Sequence, residues 1–425
     1  MSYLKFDKTV MINLEESLTR EVLRTNRLGA YHSSTVVDCN TRKYHGLLVM
    51  PVPTLDDDNH VLLSSLDETV IQHGAEFNLG LHKYGENNFS PKGHKYIREY
   101  SCDIVPRTVY RVGGVIFSKE KVFSTFENRL MIKYTLEDAH SATTLRFRPF
   151  LAFRNVKDLT YANDSVNQNY TEVPGGIKTC MYAGYPDLFM QFSKKPKFVF
   201  DPKWYYGIEY PKEQERDYPY KEDLYVPGYF EIPIKKGESI IFSAGDSQVA
   251  TTRLKSLYEA EIQSRTPRTS FFNCLKNSAQ QFYFRPKKQD AYLLAGYPWF
   301  KVRARDLFIS TPGCTLSIGD PVRFEKIMAD GSQDAVITEI EHPDILLWAI
   351  WAIQQYAKKE GVEKTKELYS DFLTEALTYI ISQKHPNLKV MDSGLVYSEG
   401  RDKAITWMNS VVDGKPVVPR SGYIL

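Results

Sequence analysis

The densest run of chemically capable residues is Ala295-Gly296-Tyr297-Pro298-Trp299-Phe300-Lys301-Val302-Arg303-Ala304-Arg305-Asp306-Leu307-Phe308. Gly and Pro favour a loop, the loop carries Tyr297 and Trp299, and an Arg-Asp pair follows where a helix should start. The guanidinium of Arg305 is a fork of donors and the carboxylate of Asp306 an acceptor, so together they can grip neighbouring hydroxyls of one sugar ring. Aromatic side chains can bury the flat C–H faces of such a ring. The plainer reading is that Asp306 caps the helix. Residue types alone leave both open.

Other chemistries lack their residues. The nine histidines form no HxxxH or HxH pair and none lies near two cysteines, which disfavours a zinc site. Gly113-Gly114 and Gly175-Gly176 read as turns, and no GxGxxG, GxxxxGKS or G-x-S-x-G precedes a helix. Neither a metal nor a cofactor is expected.

The elements that must position these residues change character along the chain. Up to about residue 250 it reads as short strands. Residues 145–148 alternate inside and outside. Residues 230–234, the turn Lys235-Lys236-Gly237-Glu238 and residues 239–242 predict one hairpin. Residues 108–111, Gly113-Gly114 and residues 115–117 predict another. Such spacing points to an antiparallel β-sandwich over 1–250. The segment 205–225, dense in charge and Tyr, reads as a surface loop covering something.

Over 251–425 the period is helical. One helix is expected near 254–264. Thr266-Pro267 opens another carrying Phe271, Leu275, Ala279 and Phe282, and Asp320-Pro321 opens a further one that Gly331 closes. From Pro343 the chain is apolar nearly all round (Ile345, Leu346, Leu347, Trp348, Ile350, Trp351, Ile353) and ends at Lys358, Lys359 and Gly361. Residues 362–384 instead carry one stripe, Leu368, Phe372, Ala376 and Ile380, flanked by Leu373, Leu377 and Ile381. A buried helix followed by an amphipathic one implies inner and outer layers, as in an α/α toroid. About six helical segments are countable where a closed six-hairpin ring needs twelve, so the toroid is expected to be truncated. Exposed flanks of its inner helices, 345–353, would then favour self-association.

A formal charge of +2 with dispersed Lys and Arg gives no basic stripe, so neither nucleic acid nor an anionic membrane is an expected partner. No run approaches the ~18 apolar residues of a membrane span, and the first twenty residues carry acids where a signal peptide is apolar. Five scattered cysteines without CxxC spacing suit a reducing compartment, which makes the cytoplasm the expected location. Aromatic content is 13%, with 28 Tyr and 23 Phe, and fits either a β-rich core or sugar stacking.

Four blocks in order resemble the glycogen debranching enzymes of bacterial and archaeal type, the amylo-α-1,6-glucosidase family, with its glucoamylase-like fold. They are Asn26-Arg27-Leu28-Gly29-Ala30-Tyr31 through Asn40-Thr41-Arg42-Lys43-Tyr44-His45-Gly46-Leu47-Leu48-Val49; Glu222-Asp223-Leu224-Tyr225-Val226-Pro227-Gly228; the run at 295–306; and Thr406-Trp407-Met408-Asn409 with Pro416-Val417-Val418-Pro419-Arg420. The resemblance implies a glucan-binding N-terminal β-sandwich and a C-terminal (α/α)6 catalytic domain. It implies that Arg305 and Asp306 hold a terminal glucose, that Tyr297 and Trp299 line the pocket, and that Asp344, Trp348 and Trp407 face it from inner helix ends. For Trp348 and Trp351, core packing is the alternative. Arg42 and His45 are expected to hold the N-terminal domain together or to meet the other domain.

The chemistry so implied is inverting hydrolysis of α-1,6-linked glucose in glycogen, limit dextrin or maltooligosaccharides. One carboxylic acid protonates the leaving oxygen and a carboxylate about 6.5–9.5 Å away activates water. Two departures stand out. Asn409 occupies the position where the family pattern has Asp, the expected general acid, and an amide delivers no proton. Arg303-Ala304 replaces a common Trp-Gly. The nearest acids in sequence are Asp392, Glu399 and Asp413, and the general base is expected beyond Leu425. A non-catalytic glucan-binding protein and an exo-acting α-glucosidase of glucoamylase type remain alternatives.

Overall fold

The computed structural model describes residues 3–85, 88–339, 342–399 and 403–424, with side chains omitted for 332–339 and 423–424. The chain divides into two compact units, Met1–Gln281 and Phe282–Leu425.

The first unit is built on two antiparallel sheets. One has nine strands, in the spatial order Lys5–Asp7, Ile97–Cys102, Pro106–Val112, Val115–Phe123, Arg129–Asp138, Ser239–Gly245, Leu188–Phe192, Gly176–Thr179 and Tyr170–Val173. The other has eight: Lys197–Glu209, Lys221–Ile234, Thr143–Asn155, Asn59–Gln72, Gly46–Pro51, Tyr31–Thr35 and Glu21–Thr25 in order, with Ala75–Asn78 also on Asn59–Gln72. Alternation sets the inner face: Leu145 and Phe147 are fully buried while Arg146 and Arg148 between and beyond them are not. One core takes side chains from both sheets. Tyr134 of the first meets Phe147 of the second at 4.9 Å, and Phe192 meets Phe147 at 5.0 Å and Phe230 at 5.1 Å. Much of the aromatic content is therefore core.

The Gly113-Gly114 hairpin forms as expected. Val112 pairs with Val115, and both glycines take positive φ (54° and 81°), which a two-residue turn between twisted strands demands. The hairpin expected at 235–238 does not form. Lys221–Ile234 pairs within the eight-stranded sheet and Ser239–Gly245 within the nine-stranded one, so the turn carries the chain from sheet to sheet. Both strands alternate whichever partner they take, and periodicity alone does not name the partner. The segment 205–225 is likewise no loop. It is the end of two paired strands, Trp204 opposite Tyr225, joined through the short helix Pro211–Gln214.

Six helices of ten residues or more occur among the described residues: α1 (Leu254–Gln263), α2 (Phe271–Gln280), α3 (Ala304–Cys314), α4 (Pro321–Glu339), α5 (Pro343–Glu360) and α6 (Val362–Ile381). The switch from strand to helix near residue 250 precedes the boundary between units. Leu254 and Tyr258 of α1 pack on Val122, Met131 and Ile241, and Glu261 accepts hydrogen bonds from Thr125 N–H (2.8 Å) and Oγ1 (2.7 Å). After α2, Gln281 accepts from Thr25 N–H at 3.1 Å. Ser270, not Thr266, caps α2, and Phe271 and Leu275 on it are exposed.

In the second unit Leu307 and Phe308 of α3, Phe324, Ile327 and Met328 of α4, and Ile345, Ala349, Ala352, Ile353 and Tyr356 of α5 share a core. Asp320 caps α4 through Arg323 N–H at 3.1 Å. Gly331 does not end that helix. It lies inside, where a Cβ would come within 2.3 Å of Leu307 Cδ2, so its smallness lets α3 approach. Helix α6 buries Thr365, Tyr369, Ala376 and Ile380, whereas Leu368, Leu377 and Ile381 of the expected stripe stay exposed. A small sheet (Leu388–Val390, Val396–Ser398, Gly422–Ile424) and a hairpin (Val411–Val412 with Lys415–Pro416) follow. No helix among the described residues is long and apolar enough to cross a membrane.

Candidate functional site

The site grows from the loop before α3. Backbone bonds close it, Ala295 N–H to Lys301 O at 2.9 Å and Phe300 N–H to Gly296 O at 2.8 Å. Tyr297 is half-buried with its ring 6.4 Å from that of Phe282, Trp299 is 47% exposed, and Arg303 lies 4.2 Å over the ring of Phe300. Helix α3 starts at Ala304 with Arg303 at the cap position and no side-chain cap. Asp306 therefore does not cap it. It sits exposed in the first turn, where the positive end of the helix favours a carboxylate.

Arg305 turns inward instead. Its Nε donates to Asp344 Oδ2 at 2.7 Å and its Nη2 to Oδ1 at 2.9 Å, a bidentate pair in which both residues are 8% exposed. Asp344 stands in the first turn of α5, so two helix starts present the pair. Two hydrogen bonds fix the carboxylate's orientation and leave it lone pairs for a ligand.

Beside the pair opens a cavity of about 290 Å³, lined by Asp344, Leu347, Trp348, Trp351, Thr406, Trp407, Met408 and Arg420. Trp348 and Trp351, nearly one turn apart on α5, meet edge to face at 5.5 Å and 87°. Trp407 is 62% exposed, and Arg420 Nη2 donates to Met408 Sδ at 3.3 Å. Indole faces, a fixed carboxylate and a guanidinium can hold a ring that presents C–H groups on one face and hydroxyls at its edge.

The structure thus brings Asp344, Trp348 and Trp407 to one cavity and ties Arg305 to it through Asp344, while Tyr297, Trp299 and Asp306 are not among its lining residues. The sequence named Trp351 only beside Trp348, with core packing as the alternative, and Arg420 only within a family-like block. The three-residue spacing from Trp348 signals the first, since such residues share a helix face. Among the described residues lining the cavity Asp344 is the only carboxylate. Asn409, Asp392 and Asp413 are exposed, and Glu399 pairs with Lys389. No cluster of three or more potential metal ligands occurs among the described residues, and all five cysteines are free.

Two family models match in chain order. That of the glycogen debranching enzyme N terminal covers residues 20–241, over half the chain, and that of amylo-alpha-1,6-glucosidase covers 276–424. No curated protein matches the chain. Among solved structures, a bacterial glucoamylase complexed with acarbose is 10% identical with a TM-score of 0.43, covering 90% of this chain and 59% of its own. A protein from the human microbiome described as a kojibiose phosphorylase is 9% identical with a TM-score of 0.39, covering 93% and 61%. The chain spans about three-fifths of these proteins' length, and likeness this slight transfers no residue's role. The ordered match of both models identifies the chain as a member of the glycogen debranching enzyme family, a glycoside hydrolase by family resemblance.

Proposed function

We propose that the chain acts as an amylo-α-1,6-glucosidase, releasing glucose by inverting hydrolysis from α-1,6 branch points of glycogen or limit dextrin. The observation that carries this reading is the bidentate Arg305–Asp344 pair at an indole-walled cavity, in a segment matched by the amylo-alpha-1,6-glucosidase model. In it Arg305 fixes Asp344, whose free lone pairs accept from glucose hydroxyls, and Trp348 and Trp407 stack on the sugar. Asp306, Tyr297 and Trp299 contribute from the α3 end. The two sheets of the first unit act as a glucan-binding sandwich, and α3 to α6 as part of an (α/α)6 toroid. The free thiols support a cytoplasmic location.

The test is glucose release from phosphorylase-limit dextrin by the purified chain, with maltooligosaccharides alongside. Release from the dextrin is expected, and release from the linear oligosaccharides alone would replace the reading with an exo-acting α-glucosidase. A second reading, glucan binding without cleavage, is favoured by Asn409 and by Asp344 being the one carboxylate among the described residues that line the cavity. It predicts tight dextrin binding with no glucose. Hydrolysis by the unaltered chain would exclude it.

A further inference from the structure

The first unit contains a cavity of about 420 Å³ that the proposed hydrolysis does not use. We propose that it is a second saccharide site and that its ligand is a short α-linked glucose oligomer; the choice of glucose rests on reading the chain as an α-glucan hydrolase. Its volume falls in the roughly 300–1,000 Å³ range of small-ligand sites. Asp67, Asn78, His82, Tyr84, Arg148 and Tyr205 line it over Phe150.

The polar groups are held in place and still have bonding capacity. His82 Nε2 lies 2.9 and 3.0 Å from the two oxygens of Asp67, and both residues are less than a tenth exposed. Thr69 Oγ1 donates to Asn78 Oδ1 at 2.7 Å, which fixes that oxygen and turns the amide hydrogens to other acceptors. Arg148 stands directly opposite Asp67 in the strand ladder, yet the carboxylate is taken by His82. Among the described residues Arg148 has no ion pair, and its guanidinium lies 5.8 Å from the ring of Tyr229.

The apolar groups are rings. His82 packs 4.7 Å from Phe150, which packs 4.7 Å from Tyr205, and Tyr84 lies 6.3 Å from His82. A phosphate would meet Asp67, and a cation would meet Arg148. A neutral polyhydroxylated ring meets neither penalty: its C–H face suits the tyrosines and its hydroxyls suit fixed donors and acceptors of both kinds.

Calorimetric titration of the full chain with maltotriose tests this, using the unaltered protein and the variants Tyr205→Ala, Asn88→Trp and Trp348→Ala. Asn88 is an exposed lining residue, so an indole there fills the cavity without disturbing the buried groups. Two sites are expected in the unaltered chain. Tyr205→Ala should weaken one of them about tenfold, Asn88→Trp should remove it, and Trp348→Ala should spare it. Stoichiometry and affinity unchanged in both Tyr205→Ala and Asn88→Trp would overturn the second site while leaving the first-named function intact. Loss of all binding in Asn88→Trp with no effect of Trp348→Ala would uphold this site and overturn the other. Failure of the unaltered chain to bind maltotriose would overturn both.

Discussion

Both units bury charge, and they do it differently. In the first unit Arg154 and Glu222 form a bidentate pair, with Nη2 to Oε2 at 3.0 Å, and Thr160 N–H (2.9 Å) and Tyr210 also donate to the carboxylate. Nearby in kind, Lys119 pairs with Asp38 at 2.7 Å and with Glu68 at 3.1 Å, and Tyr134 donates to Glu68 at 2.7 Å. Glu222 fills its four acceptor positions with protein, and the void beside Asp38 and Lys119 is only about 20 Å³. In the second unit the Arg305–Asp344 pair is as well aligned, but Asp344 fronts about 290 Å³ of open space walled by tryptophan. A buried charge whose bonds are all internal is a structural commitment. One that keeps acceptor capacity toward a cavity is available to a ligand.

The largest expected effect falls on the closed network. Glu222 is fully buried, so Glu222→Ala leaves the guanidinium of Arg154 and the hydroxyl of Tyr210 without their acceptor. Removing one partner of such a pair costs about 3–5 kcal/mol. Denaturant unfolding should show the first unit's transition move by that amount, with sugar binding by the second unit intact. A shift below about 1 kcal/mol would erase the contrast between the units.

Next comes the open pair. Asp344→Asn keeps the shape of the side chain and removes its charge, so Arg305 loses a charge-assisted bond worth about 1.5–3 kcal/mol. Water in the cavity can partly replace it, so destabilisation should be smaller than for Glu222→Ala. Maltooligosaccharide affinity should fall at least tenfold. A variant that unfolds readily yet binds normally would make the pair structural after all. Trp348→Ala is expected to be milder for binding, about 0.5–1.5 kcal/mol from lost stacking. If instead it loses the roughly 3–5 kcal/mol of a core Trp truncation with affinity unchanged, Trp348 is a packing residue.

These contrasts were only partly legible in the sequence. Period separated strands from helices near residue 250, and the Gly113-Gly114 turn was readable because two consecutive positive-φ residues demand it. Partner choice was not readable: Lys221–Ile234 and Ser239–Gly245 alternate alike but belong to different sheets. The ends of helices misled where tertiary contact decided them. Gly331 looks like a terminator and serves as a close-packing point under Leu307. At the site, Arg305 and Asp344 were each named, but 39 residues separate them and only the α3–α5 crossing makes them a pair. Asp306 drew attention as Arg305's neighbour, yet successive residues on a helix point about 100° apart. That is why one is buried and the other exposed.

A different kind of effect is expected at His32, which probes the closed interior by proton instead of by deletion. His32 is 1% exposed, its Nδ1 lies 2.9 Å from Gly46 O, and its Nε2 is buried. Burial, and then the nearby charge of Lys121, hold its pKa at about 3, well below the ordinary value, with Asp38 opposing only in part. The native state therefore refuses a proton that the unfolded chain accepts near pH 6.5. Stability from this residue is complete above about pH 6.5 and is lost progressively as pH falls toward about 3. In His32→Asn the amide N–H₂ can keep the bond to Gly46 O without taking up a proton. The variant's unfolding free energy should then fall less between pH 6.5 and 4 than that of the unaltered chain, with little difference at pH 8. Parallel curves over that range would mean that the interior accepts the imidazolium, and that the first unit is less closed to charge than its bond network implies.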